Sequence, residues 1–149
     1  MCQKGFIPLI PLLHLPAENL AHFNKTGSST LRYPEDVERF WRLVKLGEKL
    51  RLLHLMEGVN PRQGLAVYDV PGNDVVTTVE YKNGQVWMND TQFFDHVPLD
   101  VWNFYIGGYQ SAQKWLKDRK GQPLDYNDRI HYRKIICVLK ETIEVMDDV

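Results

Sequence analysis

Apolar residues recur at helical spacing in two long stretches and one short one, and alternate with polar residues in a fourth. In the first stretch Val37, Phe40, Trp41 and Val44 are followed by Leu46, Leu50, Leu53 and Met56, with a slight change of face near Gly47. Steps of three and four residues place such positions on one side of a helix. Tyr33-Pro34-Glu35-Asp36 suits its start, because proline fits the first turn and acids suit the positive end. Gly58 suits its end. The spacing predicts a helix of roughly six turns whose aromatic and leucine stripe lies in the core. The second long stretch opens at Leu124-Asp125-Tyr126-Asn127-Asp128, with Asp125 as N-cap. Its buried stripe is Tyr132, Ile135, Ile136, Leu139, Ile143 and Met146, and it runs nearly to the C-terminus. The short helix starts at Ser111. There Ala112, Trp115 and Leu116 share a face, Lys114 and Lys117 point away, and Gly121 takes the C-terminal cap position. Trp115 is expected to be buried and both lysines exposed.

Alternation appears where Val75–Tyr81 and Gln85–Met88 flank Lys82-Asn83-Gly84. Asn-Gly is the favoured centre of a type I′ turn, and that turn fixes the register. Lys82 faces Gln85, Tyr81 faces Val86, Glu80 faces Trp87 and Val79 faces Met88. One side of the hairpin is then Val79, Tyr81, Val86 and Met88, which is core. The other is Thr78, Glu80, Lys82, Gln85, Trp87 and Asn89, which is polar with one large aromatic. Val59–Asp74 reads as loop and Asp90–Pro98 as a connection, with Asn89 and Asp90 bonding local backbone. Val101–Ile106 reads as a buried apolar segment that Gly107-Gly108 breaks. These elements predict an α+β fold, a small antiparallel sheet with a hairpin packed against two long helices and one short helix.

The first 32 residues are different: apolar and punctuated by proline, then polar. They are expected to be an extended or irregular segment ahead of a domain spanning residues 33–149. The run Phe6–Leu15 is too short to cross a bilayer, and Pro8 and Pro11 argue against a secretory leader. Its apolar residues either form an edge strand on the same core, the expected outcome, or offer a docking surface to a protein partner.

Composition narrows the function. At 149 residues the chain is most simply one domain with a real core, and 44% hydrophobic with 25% charged residues is ordinary for a globular protein. A net charge of −1 weakens any reading as a nonspecific nucleic-acid binder, but leaves room for a local basic patch. Cys2 and Cys137 lie at opposite ends and form no metal-ligand spacing, which points to a reducing, cytoplasmic setting. No phosphate-binding glycine loop, no zinc-protease His pair and no nucleophile elbow occurs. Neither a catalytic residue, nor a metal, nor a cofactor is therefore assigned. His54 is expected to be a hydrogen-bonded structural histidine, since no second ligand sits at helical spacing. Asp69 or Asp74 with Glu80-Tyr81-Lys82 imitates the acidic pattern of metal-dependent nucleases. Such sites need carboxylates that converge on the metal, and a salt-bridged hairpin explains Glu80 and Lys82 without chemistry. The nuclease remains the remote alternative.

A family resemblance follows from several stretches taken together. IGGYQ (Ile106–Gln110), KWLKDRKG (Lys114–Gly121), then His131-Tyr132 and a helix containing LKETI (Leu139–Ile143) are joined by LGEKLRLLHLME (Leu46–Glu57), QVWMN (Gln85–Asn89) with Phe93-Phe94, and VPLDVWNF (Val97–Phe104). In this order the chain, from about Tyr33 onward, resembles the C-terminal specificity region of Type ISP restriction–modification enzymes. Those are large single-chain proteins that join a helicase-like translocase, an adenine methyltransferase and a target-recognition domain. The tetrapeptide Asn60-Pro61-Arg62-Gln63 is not the Asn-Pro-Pro-Tyr that such methyltransferases use, so the resemblance implies a recognition module without a catalytic site. It implies double-stranded DNA as partner, within a larger restriction–modification assembly, and no membrane. Lys114, Lys117, Arg119 and Lys120 are then the candidate phosphate contacts. Lys82, Asn83, Gln85 and Trp87 are the candidates for base reading, because Lys, Asn and Gln can read base edges in a major groove. The alternative from a different class is a structural or protein-interaction fragment that binds no DNA alone.

Overall fold

The computed structural model describes residues 36–148. The expectations for residues 1–32, an edge strand or a docking surface, lie outside them. Among the described residues the order is α1 (Val37–His54), β1 (Glu80–Lys82), β2 (Gln85–Trp87), β3 (Phe93–Phe94), α2 (Leu99–Asn103), β4 (Tyr105–Ile106), β5 (Tyr109–Gln110), α3 (Ser111–Lys117) and α4 (Tyr126–Asp147). The fold is α+β, with antiparallel sheets of three strands (β1-β2-β3) and two (β4-β5).

Helix α4 is the axis of the core. Asp125 caps it, accepting from the Asp128 amide at 2.8 Å, while the Asp128 carboxylate accepts from the Asp125 amide at 3.3 Å. This reciprocal pair satisfies two backbone donors that the first turn leaves free. Tyr132, Ile135, Ile136 and Leu139 face the main core with Val86, Met88, Phe94, Val101 and Leu116. The Tyr132 hydroxyl donates to the Ala112 carbonyl at 3.2 Å, which satisfies a polar group in a fully buried position. A second face of α4, carrying Cys137, Val138 and Val145, packs on Leu53 and Val59. The expected stripe covered only the first face. The second is apolar because α1 lies against it.

Helix α1 departs from expectation in two ways. It is 18 residues long, about five turns, because Met56 turns left-handed at φ 54° and ends the helix before Gly58. Asp36 caps its start, accepting from the Glu38 amide at 3.0 Å. Its apolar stripe is also not all core. Leu53 is buried and Leu46 and Leu50 pack beside it, but Val37, Phe40, Trp41 and Val44 are exposed. The cause is length: α4 ends at Asp147, where the Asp148 carbonyl accepts from Arg42 at 2.7 Å. The first turns of α1 run past that end. Phe40 and Trp41 meet edge to face with ring centres 5.5 Å apart.

The first hairpin keeps the expected register near its turn: Lys82 faces Gln85, Tyr81 faces Val86 and Glu80 faces Trp87. Asn83 and Gly84 both have positive φ, 51° and 82°, as a type I′ turn requires. Further out the expected pairing of Val79 with Met88 is lost. The amides of Thr77 and Thr78 both donate to the Met88 carbonyl, at 2.8 and 3.2 Å, two residues against one as in a β-bulge. Val75 instead bridges Pro123, and the Val76 amide donates to Gln122. Elements also form within the segment read as a connection and within the apolar segment Val101–Ile106, of which Val101 and Trp102 are buried but Tyr105 is exposed. Phe93–Phe94 adds a third strand to the sheet. Val101–Ile106 divides into the end of α2 and strand β4, and β4 pairs with β5 across Gly107-Gly108.

Candidate nucleic-acid interface

Helix α3 and the turn after it carry four cations, Lys114, Lys117, Arg119 and Lys120, against one acid, Asp118. The helical spacing works as expected on its inner side: Ala112 and Leu116 are fully buried. Trp115 sits at the edge of that face and is only partly buried, not enclosed. Its ring lies beside Tyr132 and His131, at 5.4 and 5.7 Å between centres. The Arg119 guanidinium lies 3.6 Å from the Trp115 ring centre and covers the indole from outside.

The four cations are not equivalent. Arg119 is engaged three times: with the Trp115 ring, with the Trp115 carbonyl at 3.2 Å and with Asp128 at 3.7 Å. Lys114 pairs with Asp118 at 2.7 Å and lies 5.6 Å from the Tyr109 ring centre. The hydrogen bond to Asp118 raises the affinity of the Lys114 ammonium for its proton, so the group stays charged. Among the described residues Lys117 is held only by the neutral Gln113 amide, to whose oxygen it donates at 3.2 Å. Lys120 is exposed and makes no salt bridge among the described residues. Lys117 and Lys120 therefore carry the least compensated charge of the group.

The first hairpin holds the other candidates. Lys82 and Asn83 are exposed at its turn, while Gln85 and Trp87 are partly buried. Lys82 pairs with Glu80 and lies 6.0 Å from the Trp87 ring centre. Trp87 packs against Phe93 with the rings tilted and their centres 4.6 Å apart, and its indole N–H is enclosed without an acceptor among the described residues. The turn is pinned to the body, since the Val97 amide donates to the Gly84 carbonyl at 2.8 Å and the Tyr81 hydroxyl donates to the Val97 carbonyl at 2.8 Å. A path of packed groups leads from this hairpin towards α3. Tyr81 stacks on Trp102 of α2 at 5.5 Å, and Gln113 of α3 donates to the Trp102 carbonyl at 3.4 Å.

Asn89 does not lie on the wet face of the hairpin. It is buried and joins a polar network that the sequence pattern did not mark. Its amide donates to the Gln92 side chain and to the Val75 carbonyl, at 2.9 and 3.0 Å. Its oxygen accepts from the Thr91 and Gln92 amides, so it does bond local backbone. Gln92, fully buried, donates to the Val70 carbonyl and to Asp74, both at 2.9 Å. Asp74 also accepts from the Tyr68 hydroxyl at 2.6 Å and from Arg129 at 3.3 Å. The Tyr68 bond holds the Asp74 carboxyl below its ordinary range, and Gln92 and Arg129 act in the same direction. Burial pushes the Tyr68 hydroxyl well above its ordinary value, and the bond to Asp74 adds to it.

This network bears on the nuclease pattern. Asp74 is saturated by three donors and Glu80 is paired with Lys82. Among the described residues no three His, Cys, Asp or Glu side chains gather as a metal site would need. His54 Nδ1 lies 3.3 Å from the Leu50 carbonyl, as a hydrogen-bonded structural histidine should. No helix among the described residues is long and apolar enough to cross a membrane.

The body is thus a small α+β fold with a basic surface helix and with the partly buried Asp74 carboxylate tied up in structural bonds. The comparison with known families places it. The model of the Type ISP C-terminal specificity domain matches residues 25–148, and the chain belongs to that family. Two solved structures are similar in fold. One is an ATP-dependent Type ISP restriction-modification enzyme, LlaBIII, bound to DNA, at 17% identity and TM-score 0.59, covering 93% of this chain and 11% of that one. The other is a nuclease-deletion mutant of the Type ISP enzyme LlaGI in complex with a DNA substrate mimic, at 17% identity and TM-score 0.61, covering 97% of this chain and 13% of that one. The chain thus spans little more than a tenth of the length of those enzymes. No curated protein matches it.

Proposed function

We propose that this chain is a DNA target-recognition module, with residues 33–149 as the recognition domain and residues 1–32 as a preceding segment. Its partner is double-stranded DNA, met within a larger restriction–modification assembly in a reducing, cytoplasmic setting. The observation that carries this reading is the basic surface of α3 and its following turn, on a domain that belongs to a specificity family. Lysine on a short helix meets phosphate as a point charge and fixes position without reading sequence. Lys117 and Lys120 contribute most, Lys114 less because Asp118 already partners it, and Arg119 least because it is committed to Trp115 and Asp128. Lys82, Asn83, Gln85 and Trp87 present the base-reading face. The module performs no chemistry of its own.

Binding of labelled duplex DNA, random and enriched, at several salt concentrations tests this. Each phosphate contact contributes about −0.9 to the slope of log affinity against log salt. Lys117→Ala with Lys120→Ala should therefore flatten the slope by roughly two units and weaken all sequences about equally. A slope equal to the parent's would remove α3 from the interface. The second reading, a structural or protein-interaction fragment, draws on the exposed apolar turns of α1. It expects no DNA binding above background at moderate salt.

A further inference from the structure

The β4–β5 hairpin stands out from the body in a way that neither group of candidate residues explains. Its turn is Gly107-Gly108, with φ of 58° and 87°, the left-handed pair that a two-residue type I′ connection needs. A Cβ added at either glycine would meet nothing within 4 Å, so the tip projects into open space. Tyr105 faces Gln110 and Ile106 faces Tyr109 across the strands. Directly opposed residues share a side of the ribbon, so the two tyrosines lie on opposite sides of it. Ile106 packs on the core, yet Tyr105 is 57% and Tyr109 62% exposed. Two large rings held in water beside glycine are a poor arrangement for stability alone.

The surroundings decide what such a ribbon fits. Strand β5 runs directly into α3, and Lys114 lies over the Tyr109 ring. The root of the ribbon is thus basic, with Lys114, Lys117 and Lys120 following within eleven residues of Tyr109. A positive root and an aromatic tip complement a polyanion with recessed bases, and are less suited to an apolar protein groove. Dimensions agree. A two-stranded ribbon suits the major groove's width of about 12 Å and exceeds the minor groove's width of about 6 Å.

We propose that the β4–β5 hairpin meets the DNA major groove, with Tyr105, on the side of the ribbon away from Ile106, and Tyr109, next to the glycine tip, as its contacting rings, while the α3 lysines hold the flanking phosphates. This rests on the DNA-recognition reading above and adds to it a reading element distinct from the first hairpin. An aromatic ring can make apolar contact with the thymine methyl in that groove.

Two measurements on the whole chain test it. In the first, Tyr105→Ala with Tyr109→Ala is titrated against the parent on the same duplexes. Both side chains are exposed, so the thermal midpoint should hold while affinity falls roughly tenfold, as for the loss of a base-pair contact. The salt slope should not change, because no cation is removed. In the second, duplexes carrying 5-iododeoxyuridine, whose iodine lies in the major groove, are irradiated with the parent. The covalent adduct should map to the peptide containing Tyr105 and Tyr109. Parent binding with an unaffected double variant and an adduct elsewhere overturns the ribbon and leaves the DNA reading standing. Failure of the parent to bind any duplex overturns both.

Discussion

At the scale of single residues, the tightest constraint is Gly72. A Cβ there would lie 2.3 Å from the Gln92 side-chain carbon and 2.5 Å from its oxygen. Gln92 cannot give way freely. It is fully buried, and its amide bonds Val70, Asp74 and Asn89. Gly72→Ala should therefore cost about 1–3 kcal/mol by overpacking and by stranding buried polar atoms, read as a lower midpoint in urea unfolding. An unchanged midpoint would mean that Gln92 has room to move. Asp74 makes a prediction in pH. Its carboxyl is held below the ordinary carboxylate value of about 3.9. A depressed acid stabilises the fold above its unfolded pKa, and that contribution is lost as pH falls through the folded one. Asp74→Asn should thus be less stable than the parent at neutral pH, and the two thermal midpoints should converge on acidification. A gap constant down to the lowest accessible pH would mean that the carboxylate's charge is not what stabilises. None of this was legible in the sequence. Gln92 lies in a stretch that reads as a plain connection, and Asp74 lies 18 residues away. No local pattern marks a buried amide whose partners are that distant.

At the scale of elements, what was legible is what local chemistry decides. Asn83-Gly84 sets its own turn and the three residue pairs nearest it. Asp125 and Asp128 set the start of α4. The pattern failed where a distant partner decides: Val75 and Val76 leave the hairpin for the chain at Gln122 and Pro123. Gly107-Gly108 was a missed local signal, because a glycine pair between YI and YQ marks a hairpin as well as a break. Helix α1 shows the limit of periodicity. Its stripe is continuous in sequence, but its burial stops where α4 ends, which no sequence period can report. The two halves should respond differently to substitution. Leu53→Ala removes a buried side chain between α1 and α4 and should cost about 2–4 kcal/mol. Val37→Ser and Val44→Ser alter exposed positions, 72% and 43% accessible, and should stay within about 0.5 kcal/mol. Urea unfolding of the three variants checks this. A large loss at Val44 would mean that a further surface covers the first turns of α1.

For the whole molecule, the question is how a chain with net charge −1 could bind a polyanion selectively. A local excess answers it, since α3 and its turn carry four cations against the one acid Asp118 in that stretch. The lysine group was legible because it is contiguous. Its internal ranking was not, because the engagement of Arg119 with Trp115 and Asp128 depends on side-chain packing. The first hairpin lies on a separate element, linked to α3 through Tyr81, Trp102 and Gln113. If phosphate anchoring and base reading are divided between these elements, their substitutions should separate in kind. Lys117 and Lys120 variants should lower affinity for every duplex and flatten the salt dependence. Gln85→Ala removes no charge, so it should leave the slope intact and change which sequences are enriched from a random pool, at about 1–3 kcal/mol per altered base contact. Lys82→Ala should do both weakly, because Glu80 already offsets its charge. Pool selection with parent and Gln85→Ala, each at two salt concentrations, decides the division. Identical enriched sequences from the two proteins would take base reading away from the first hairpin and leave it to another element of the domain.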